Sequence, residues 1–336
     1  MTTDTSDDLL AAIKADDAQA VGRLLDSGAD ILLGSMPAIS PPGHHHWAIH
    51  HTGRASTPVQ ARMARALFTS ALSPPQRLVA LCGWLALYED APEHLERALA
   101  EVEDLNVLLG EYTIVSAVAG STTPSIMARL LEAGADAALE ARAGDGVRQA
   151  GFNREHGLEI VALLRAAGCP PRPAQATAAV AINHHAFVDH LLAETPYVDG
   201  FLKATFIEAM KCGQKALAMR LVEAGLIADF EVFERILTHD DEALLVAVIE
   251  QGADVDASSA AGVTPLMLAA FYRRTQAAER LIAAGADVNA ECAGRHRSVL
   301  YTTLAMRSPV LPLLLDAGLR VPEAHEAAVA SLLERL

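Results

Sequence analysis

Gly262 to Asn289, reading GVTPLMLAAFYRRTQAAERLIAAGADVN, decides how the rest of the chain is understood. Proline at a first helical position lacks only an N–H that would have no partner there, and the threonine before it can cap, so Thr264-Pro265 opens a helix. Leu266, Leu268 and Ala269 give that helix an apolar face, and Ala277, Ala278, Leu281 and Ile282 recur at helical spacing in a second one. Gly285 stops the second helix, because glycine supplies the left-handed backbone of a C-terminal cap. Ala286-Asp287-Val288-Asn289 then turns the chain into a further copy of the unit.

The copies are 33 residues apart. Leu281, Ala284, Gly285 and Ala286 map onto Leu314, Ala317, Gly318 and Leu319, and Gly252-Ala253-Asp254-Val255 stands 33 before Gly285-Ala286-Asp287-Val288. A two-helix unit of this size leaves one face of each helix uncovered, so it is stable only when stacked on neighbours. Thr264-Pro265-Leu266-Met267-Leu268-Ala269 resembles the T-P-L-H-x-A hallmark of the ankyrin repeat family, with methionine in place of histidine. That exchange is expected to weaken a local capping bond without altering the fold. The resemblance implies an all-α solenoid of stacked antiparallel helix pairs with short β-turn loops, of about nine to ten repeats over 336 residues.

Outward from this stretch the units become more divergent. Residues 1–33 read as an N-terminal capping repeat, LLAAIKADDAQAVGRLLDSGAD, with Asp16-Asp17 near its turn and Gly28 as its stop. Residues 34–72 form a repeat carrying a Pro/Gly/His-rich insertion, closed by a helix near Val59 to Ala71. Residues 73–319 hold the remaining repeats, and 320–336 a C-terminal capping helix whose Arg335 suits a helix end. The whole is expected to be one solenoid. A helix around Val147 to Asn153 is weak because Gly151 sits inside it, and His156-Gly157-Leu158-Glu159-Ile160-Val161 resembles the family's G-H-x-E-I-V with its first two residues exchanged. Gly168 to Gly225 fits two shortened units. Gly225 to Gly252 is only 27 residues, which predicts a unit without its protruding turn and an uneven binding edge.

Apolar residues make up 51% of the chain and aromatics 4%, as many Ala- and Leu-faced helix pairs require. No apolar run reaches the length of a membrane span, and MTTDTSDDLL does not read as a signal peptide, so a cytoplasmic location is the expectation. Cys82, Cys169, Cys212 and Cys292 have no zinc-type spacing and read as reduced thiols. A formal charge of −16 disfavours nucleic acid and anionic membranes and favours a basic protein. Much of that charge also serves solubility.

No phosphate loop, nucleophile elbow, kinase signature or HExxH occurs, so neither catalysis nor a cofactor is expected. His325-Glu326-Ala327-Ala328-Val329 lacks the second histidine of a zinc helix. Gly43 to His51, GHHHWAIHH, stands apart. As a helix it would place His46 and His50 on one face as a metal pair, still short of a third ligand. As a polar loop it is a divergent first helix, and as a histidine cluster it would charge below about pH 6.5. His184-His185 reads as an interhelix turn, and Asp16-Asp17 and Asp240-Asp241-Glu242 as the starts of second helices.

Proteins that resemble this one bind partners along turn tips and the exposed side of each first helix, forming one concave surface. Carried onto the clearest units, that surface takes in Ser258, Ala260, Val263, Phe271 and Tyr272, with Glu291, Ala293, His296, Leu304 and Ala305 as their 33-residue counterparts. Phe271 and Tyr272 are either paired anchors or packing against the next unit. Trp47 is either the small core of its insertion or another anchor. The expected function is a non-enzymatic protein-binding scaffold, monomeric when free. Its most specific form is a stoichiometric inhibitor or immunity-type neutraliser of a basic protein. A metal-dependent enzyme or sensor on the histidine segment, and an adaptor bridging two partners, are the alternatives.

Overall fold

Thr264 begins the repeat in space as in sequence. Its hydroxyl accepts the N–H of Met267 at 3.4 Å and Pro265 fills the first helical position. The helix runs Pro265–Phe271, and a short turn through Arg273, held at φ +61°, reverses the chain into Thr275–Ala283. Gly285, at φ +97°, ends that helix: its N–H donates to Ile282 O at 2.9 Å and the Ala286 N–H to Leu281 O at 3.0 Å. Those two bonds satisfy carbonyls the helix itself leaves open. Leu266, Ala269, Ala270, Ala277, Ala278 and Leu281 are buried between neighbours. Each leucine so covered contributes about 1.5–3 kcal/mol.

The computed structural model describes residues 4–27, 72–86, 92–142, 144–194, 200–292 and 298–336. They fall in two compact units, Met1–Thr195 and Pro196–Leu336. The first unit contains α1 (Asp4–Lys14), α2 (Ala18–Asp26), α3 (Pro74–Leu85), α4 (Pro92–Ala100), α5 (Ile114–Ala119), α6 (Pro124–Glu132), α7 (Gly146–Ala150), α8 (Gly157–Ala166), α9 (Thr177–Ala181) and α10 (His185–Glu194). Before α5, β1 (Leu108–Leu109) and β2 (Tyr112–Thr113) pair antiparallel as a small projecting finger. The second unit contains α11 (Phe201–Lys211), α12 (Lys215–Glu223), α13 (Phe230–His239), α14 (Glu242–Glu250), α15 (Pro265–Phe271), α16 (Thr275–Ala283), α17 (Val299–Ala305), α18 (Leu311–Asp316) and α19 (Glu323–Leu333).

Within each unit the stacking is serial. In the first, α3 packs on α5, α5 on α7 and α7 on α9, while α6 packs on α8 and α8 on α10. In the second, first helices follow the order α11, α13, α15, α17, α19 and second helices the order α12, α14, α16. The final helix thus occupies a first-helix position. Its last helical residue is Leu333, so Arg335 lies beyond the C-cap Glu334 rather than in the last turn.

Neighbouring turns are also clasped by side chains. Asn106 Nδ2 donates to Gly134 O at 3.3 Å while its Oδ1 accepts the Asp136 N–H at 2.7 Å. Asn289 does the same to Gly318 O at 3.3 Å and the Arg320 N–H at 2.8 Å. Asp256, in the corresponding place, accepts only the Asp287 N–H, at 3.0 Å.

Two glycines explain the weak spots of the sequence pattern. A Cβ on Gly157 would lie 2.6 Å from Ala150 O and 3.3 Å from the Phe187 ring, so the exchange of His156 and Gly157 leaves the smaller residue where α7 and α10 come close. A Cβ on Gly151 would meet Ala179 N at 2.9 Å; there the helix has ended at Ala150 and the backbone of α9 approaches. Phe187, Phe201, Phe206 and Phe233 are fully buried, a heavier filling than an Ala/Leu pattern implies.

Candidate protein-binding surface

Each helix pair has two ends. Projecting turns lead into the first helix at one end, and the short turn between helices closes the other. The expected surface residues divide between them. Ser258 and Ala260 are exposed and Val263 half-buried in a finger closed by Ser259 N–H to Val263 O at 3.0 Å and Gly262 N–H to Ser259 O at 2.8 Å. Glu291 is exposed in the next finger, bridged to Ser298. Phe271 and Tyr272 stand at the far end of α15, about 10 Å away for a helix of this length.

There the two rings meet edge to face with centroids 5.1 Å apart. Phe271 is 46% exposed, whereas Tyr272 is half-buried with its hydroxyl 3.4 Å from that of Thr238 on α13. Lys211, Arg273 and Arg307 are exposed at the same end of the second unit, and Arg274 pairs with Asp240 at 2.8 Å. The 33-residue register slips here. Ser298 caps α17 34 residues after Thr264, and the left-handed Arg307 follows Arg273 by 34, so the counterparts of Phe271 and Tyr272 are Ala305 and Met306 rather than Leu304 and Ala305. Trp47, His46, His50, Ala293 and His296 lie outside the described residues.

The finger end carries a repeated carboxylate. Asp104 and Asp136 in the first unit, and Asp254 and Asp287 in the second, are exposed at the same turn position. One oxygen of each accepts the N–H two residues on, at 2.8, 2.8, 3.1 and 2.9 Å respectively, which closes the turn and leaves the charge facing water. Sequence reasoning missed an apolar residue among the turns that lead into first helices in each unit, Leu108 in β1 of the first and Ile227 in the short turn before α13 of the second, which are 61% and 87% exposed. Superposing Gly225 on Gly252 would have found Ile227, since it then falls on Asp254.

The remaining polar chemistry is structural. Asp145 caps α7 through its bond from the Arg148 N–H at 2.9 Å, and its other oxygen accepts Arg172 Nη1 at 2.8 Å and Gln175 Nε2 at 2.6 Å. Arg165 extends the network to Gln175 Oε1 at 2.8 Å and Glu194 at 2.7 Å. Cys169 borders it, and burial together with the Asp145 charge pushes its thiol up to about 11. Burial alone pushes Cys82 up to about 12, and burial with Glu208 raises Cys212, so none of these three is an activated thiolate. None of the four cysteines is in a disulfide. His184 is spent on the Gly151 carbonyl, 3.2 Å away, and tilts against Phe187. Among the described residues no group of three His, Cys, Asp or Glu could hold a metal ion, and no helix is long and apolar enough to cross a membrane.

Serially stacked helix pairs with projecting turns define a repeat scaffold that exposes an edge rather than a cleft. One unit matches a known family: residues 261–293 match the ankyrin repeat. Among solved structures, the human ASB11 ankyrin repeat domain is similar over 75% of this chain and 99% of its own, with 17% identity and a TM-score of 0.36. The ankyrin repeat domain of Bcl-3, described as a unique member of the IkappaB protein family, is similar over 79% and 99%, with 14% identity and a TM-score of 0.37. No curated protein matches the chain. An ankyrin repeat implies a protein-protein interaction scaffold.

Proposed function

We propose that the chain binds a basic protein one to one along the finger ends of its repeats, and by covering a functional surface of that partner acts as a stoichiometric inhibitor. The observation that supports this reading is the exposed carboxylate repeated at Asp104, Asp136, Asp254 and Asp287, set in a chain of formal charge −16. Within each unit a neighbouring pair of carboxylates focuses an attractive field on a cationic surface, and such fields raise association rates by roughly 10–10³-fold at low salt. Phe271 and Tyr272, beside the cations Arg273 and Arg307, provide a second contact at the turn end for a partner broad enough to span both.

The test is capture on the full chain from its source cells, followed by kinetics with the purified partner. The expected partner is basic and binds one to one, losing its own activity in proportion to occupancy. Its association rate falls as salt rises, because screening becomes strong beyond about 10 Å at 0.1 M. Asp254→Asn with Asp287→Asn lowers that rate further. An acidic partner, or an on-rate indifferent to salt, rules the reading out.

A further inference from the structure

The turn before α13 is one of two in the described second unit that lack a finger, the other being the turn before α19, where Arg320 stands two residues after Gly318. From Gly225 only Leu226, Ile227, Ala228 and Asp229 intervene before Phe230 opens the helix, whereas twelve residues separate Gly252 from Pro265. Asp229 caps α13 directly, accepting the N–H groups of Glu231 at 3.1 Å and Val232 at 3.2 Å, so the projecting finger has been replaced by a direct entry into the helix. Leu226 and Ala228 are buried on either side, which fixes the segment and turns the side chain between them outward. That side chain is Ile227, 87% exposed.

Its position matters. Ile227 occupies the slot that Asp254 and Asp287 fill in the two following turns, and those aspartates use the slot to close a turn through a side-chain oxygen. An isoleucine cannot make that bond, and with the finger gone no such turn remains to be closed. Neither turn formation nor core packing therefore accounts for a branched apolar side chain there. Nearby acidic groups on its own segment are already matched, since Lys203 Nζ sits 2.5 Å from Asp229 and 2.9 Å from Glu231. The unmatched charge lies along the row, at Asp254 and then Asp287.

We propose that the gap at Ile227 is a docking point for an extended segment of the partner bearing an apolar side chain, with lysine or arginine three residues away on the side that faces Asp254. This rests on the protein-binding reading of the finger end and names the chemistry taken there. The spacing follows from geometry. Adjacent helix pairs stack about 8–10 Å apart, and an extended chain advances about 3.3 Å per residue, so three residues carry the peptide from one slot to the next. A second cation three residues further on meets Asp287.

The probe is a phage-displayed library of random 12-residue peptides, panned on the immobilised full chain and counter-panned on Ile227→Asp, which restores the slot's usual residue. Peptides retained by the unsubstituted chain should share an apolar residue followed or preceded at three positions by lysine or arginine. The synthesised consensus peptide should lose tenfold or more in affinity on Ile227→Asp, the loss expected when a buried aliphatic contact is removed. Asp254→Asn should weaken it by a smaller factor, and Phe271→Ala should leave it unchanged. Thermal midpoints of Ile227→Asp and Ile227→Asn should match the parent, because the side chain is outside the core; if Ile227→Asp alone unfolds, Ile227→Asn carries the comparison. Binders indifferent to both Ile227 variants but lost on Phe271→Ala overturn this inference and leave the scaffold reading standing. Acidic consensus sequences overturn both, and a library that yields no binder overturns the docking point.

Discussion

The helix entries at Asp145 in the first unit and Thr264 in the second do the same job with different chemistry. Thr264 caps α15 with a neutral hydroxyl and is followed by Pro265 and by Met267, which is buried. Asp145 caps α7 with a carboxylate whose side chain is 1% exposed, followed by Gly146, where a Cβ would lie 2.8 Å from Val115 Cγ1. A neutral cap needs nothing further. A buried carboxylate does, and the next repeat supplies Arg172 and Gln175 to it. Motif positions in this chain thus conserve a role, an acceptor at the start of a helix, while the residue that fills it determines how tightly one repeat is bound to the next.

Asp145→Ala tests that difference most severely. It removes the cap and strips Arg172 and Gln175 of their shared acceptor, and breaking a buried pair in this way costs on the order of 3 kcal/mol. Hydrogen exchange of the α7 and α9 amides should accelerate strongly while α15 and α16 are unaffected; equal protection in variant and parent would break the comparison. Thr264→Ala, by contrast, loses a cap alone, about 1 kcal/mol in the exchange protection of α15.

Much of the fold could be read wherever the residues were those the repeat uses most often. The period, the caps at Thr264 and Gly285, and the loss of the turn after Gly225 all follow from local residue choice. What could not be read depends on contacts distant in sequence. The Asp145 network joins residues 27 to 30 positions apart, and nothing in Asp145-Gly146-Val147 alone announces Arg172 or Gln175. The register slip at α17 misassigned the counterparts of Phe271 and Tyr272 because a loop longer by one residue is offset by a shorter second helix, so the glycines stay 33 apart while the cap moves to 34. Ile227 escaped for another reason: hydrophobic patterning assigns an isoleucine beside a leucine to the core, and only its burial shows otherwise.

Asp241 provides an intermediate case, a carboxylate cap paired with an exposed cation. It accepts the Leu244 N–H at 3.1 Å and pairs with Lys215 Nζ at 2.8 Å. Burial pushes this carboxyl upward, but the Lys215 bond and the backbone N–H groups of Leu244 and Ala243 outweigh it, so it is held below the usual carboxylate value. A depressed folded value adds stability above the unfolded carboxylate range, near pH 4, and that stability is lost as pH falls through the lower folded value. Asp241→Asn keeps the cap and loses the ion pair, which at a pair with one exposed partner costs about 0.5–1 kcal/mol at neutral pH. The gap between parent and variant in urea midpoint should be flat from pH 7 to 5 and close below pH 4. A gap that widens in acid would assign the lowered carboxyl elsewhere.

The smallest effect runs in the stabilising direction. Asn106 and Asn289 each clasp the following turn with a donor and an acceptor, whereas Asp256 has only the acceptor. The Gly285 carbonyl, in the place of Gly134 O and Gly318 O, therefore lacks the side-chain donor that the other two receive. Asp256→Asn keeps the bond from the Asp287 N–H and adds an amide donor within reach of that carbonyl, while removing one charge beside Asp254 and Asp287. The clasp is exposed, so the gain should be no more than about 0.5 kcal/mol, at the low end for a hydrogen bond open to water. Slower exchange of the Asp287 amide in Asp256→Asn would show that the turn had tightened; unchanged exchange would mean that the acceptor half alone supplies the clasp, and that asparagine at 106 and 289 adds nothing aspartate lacks.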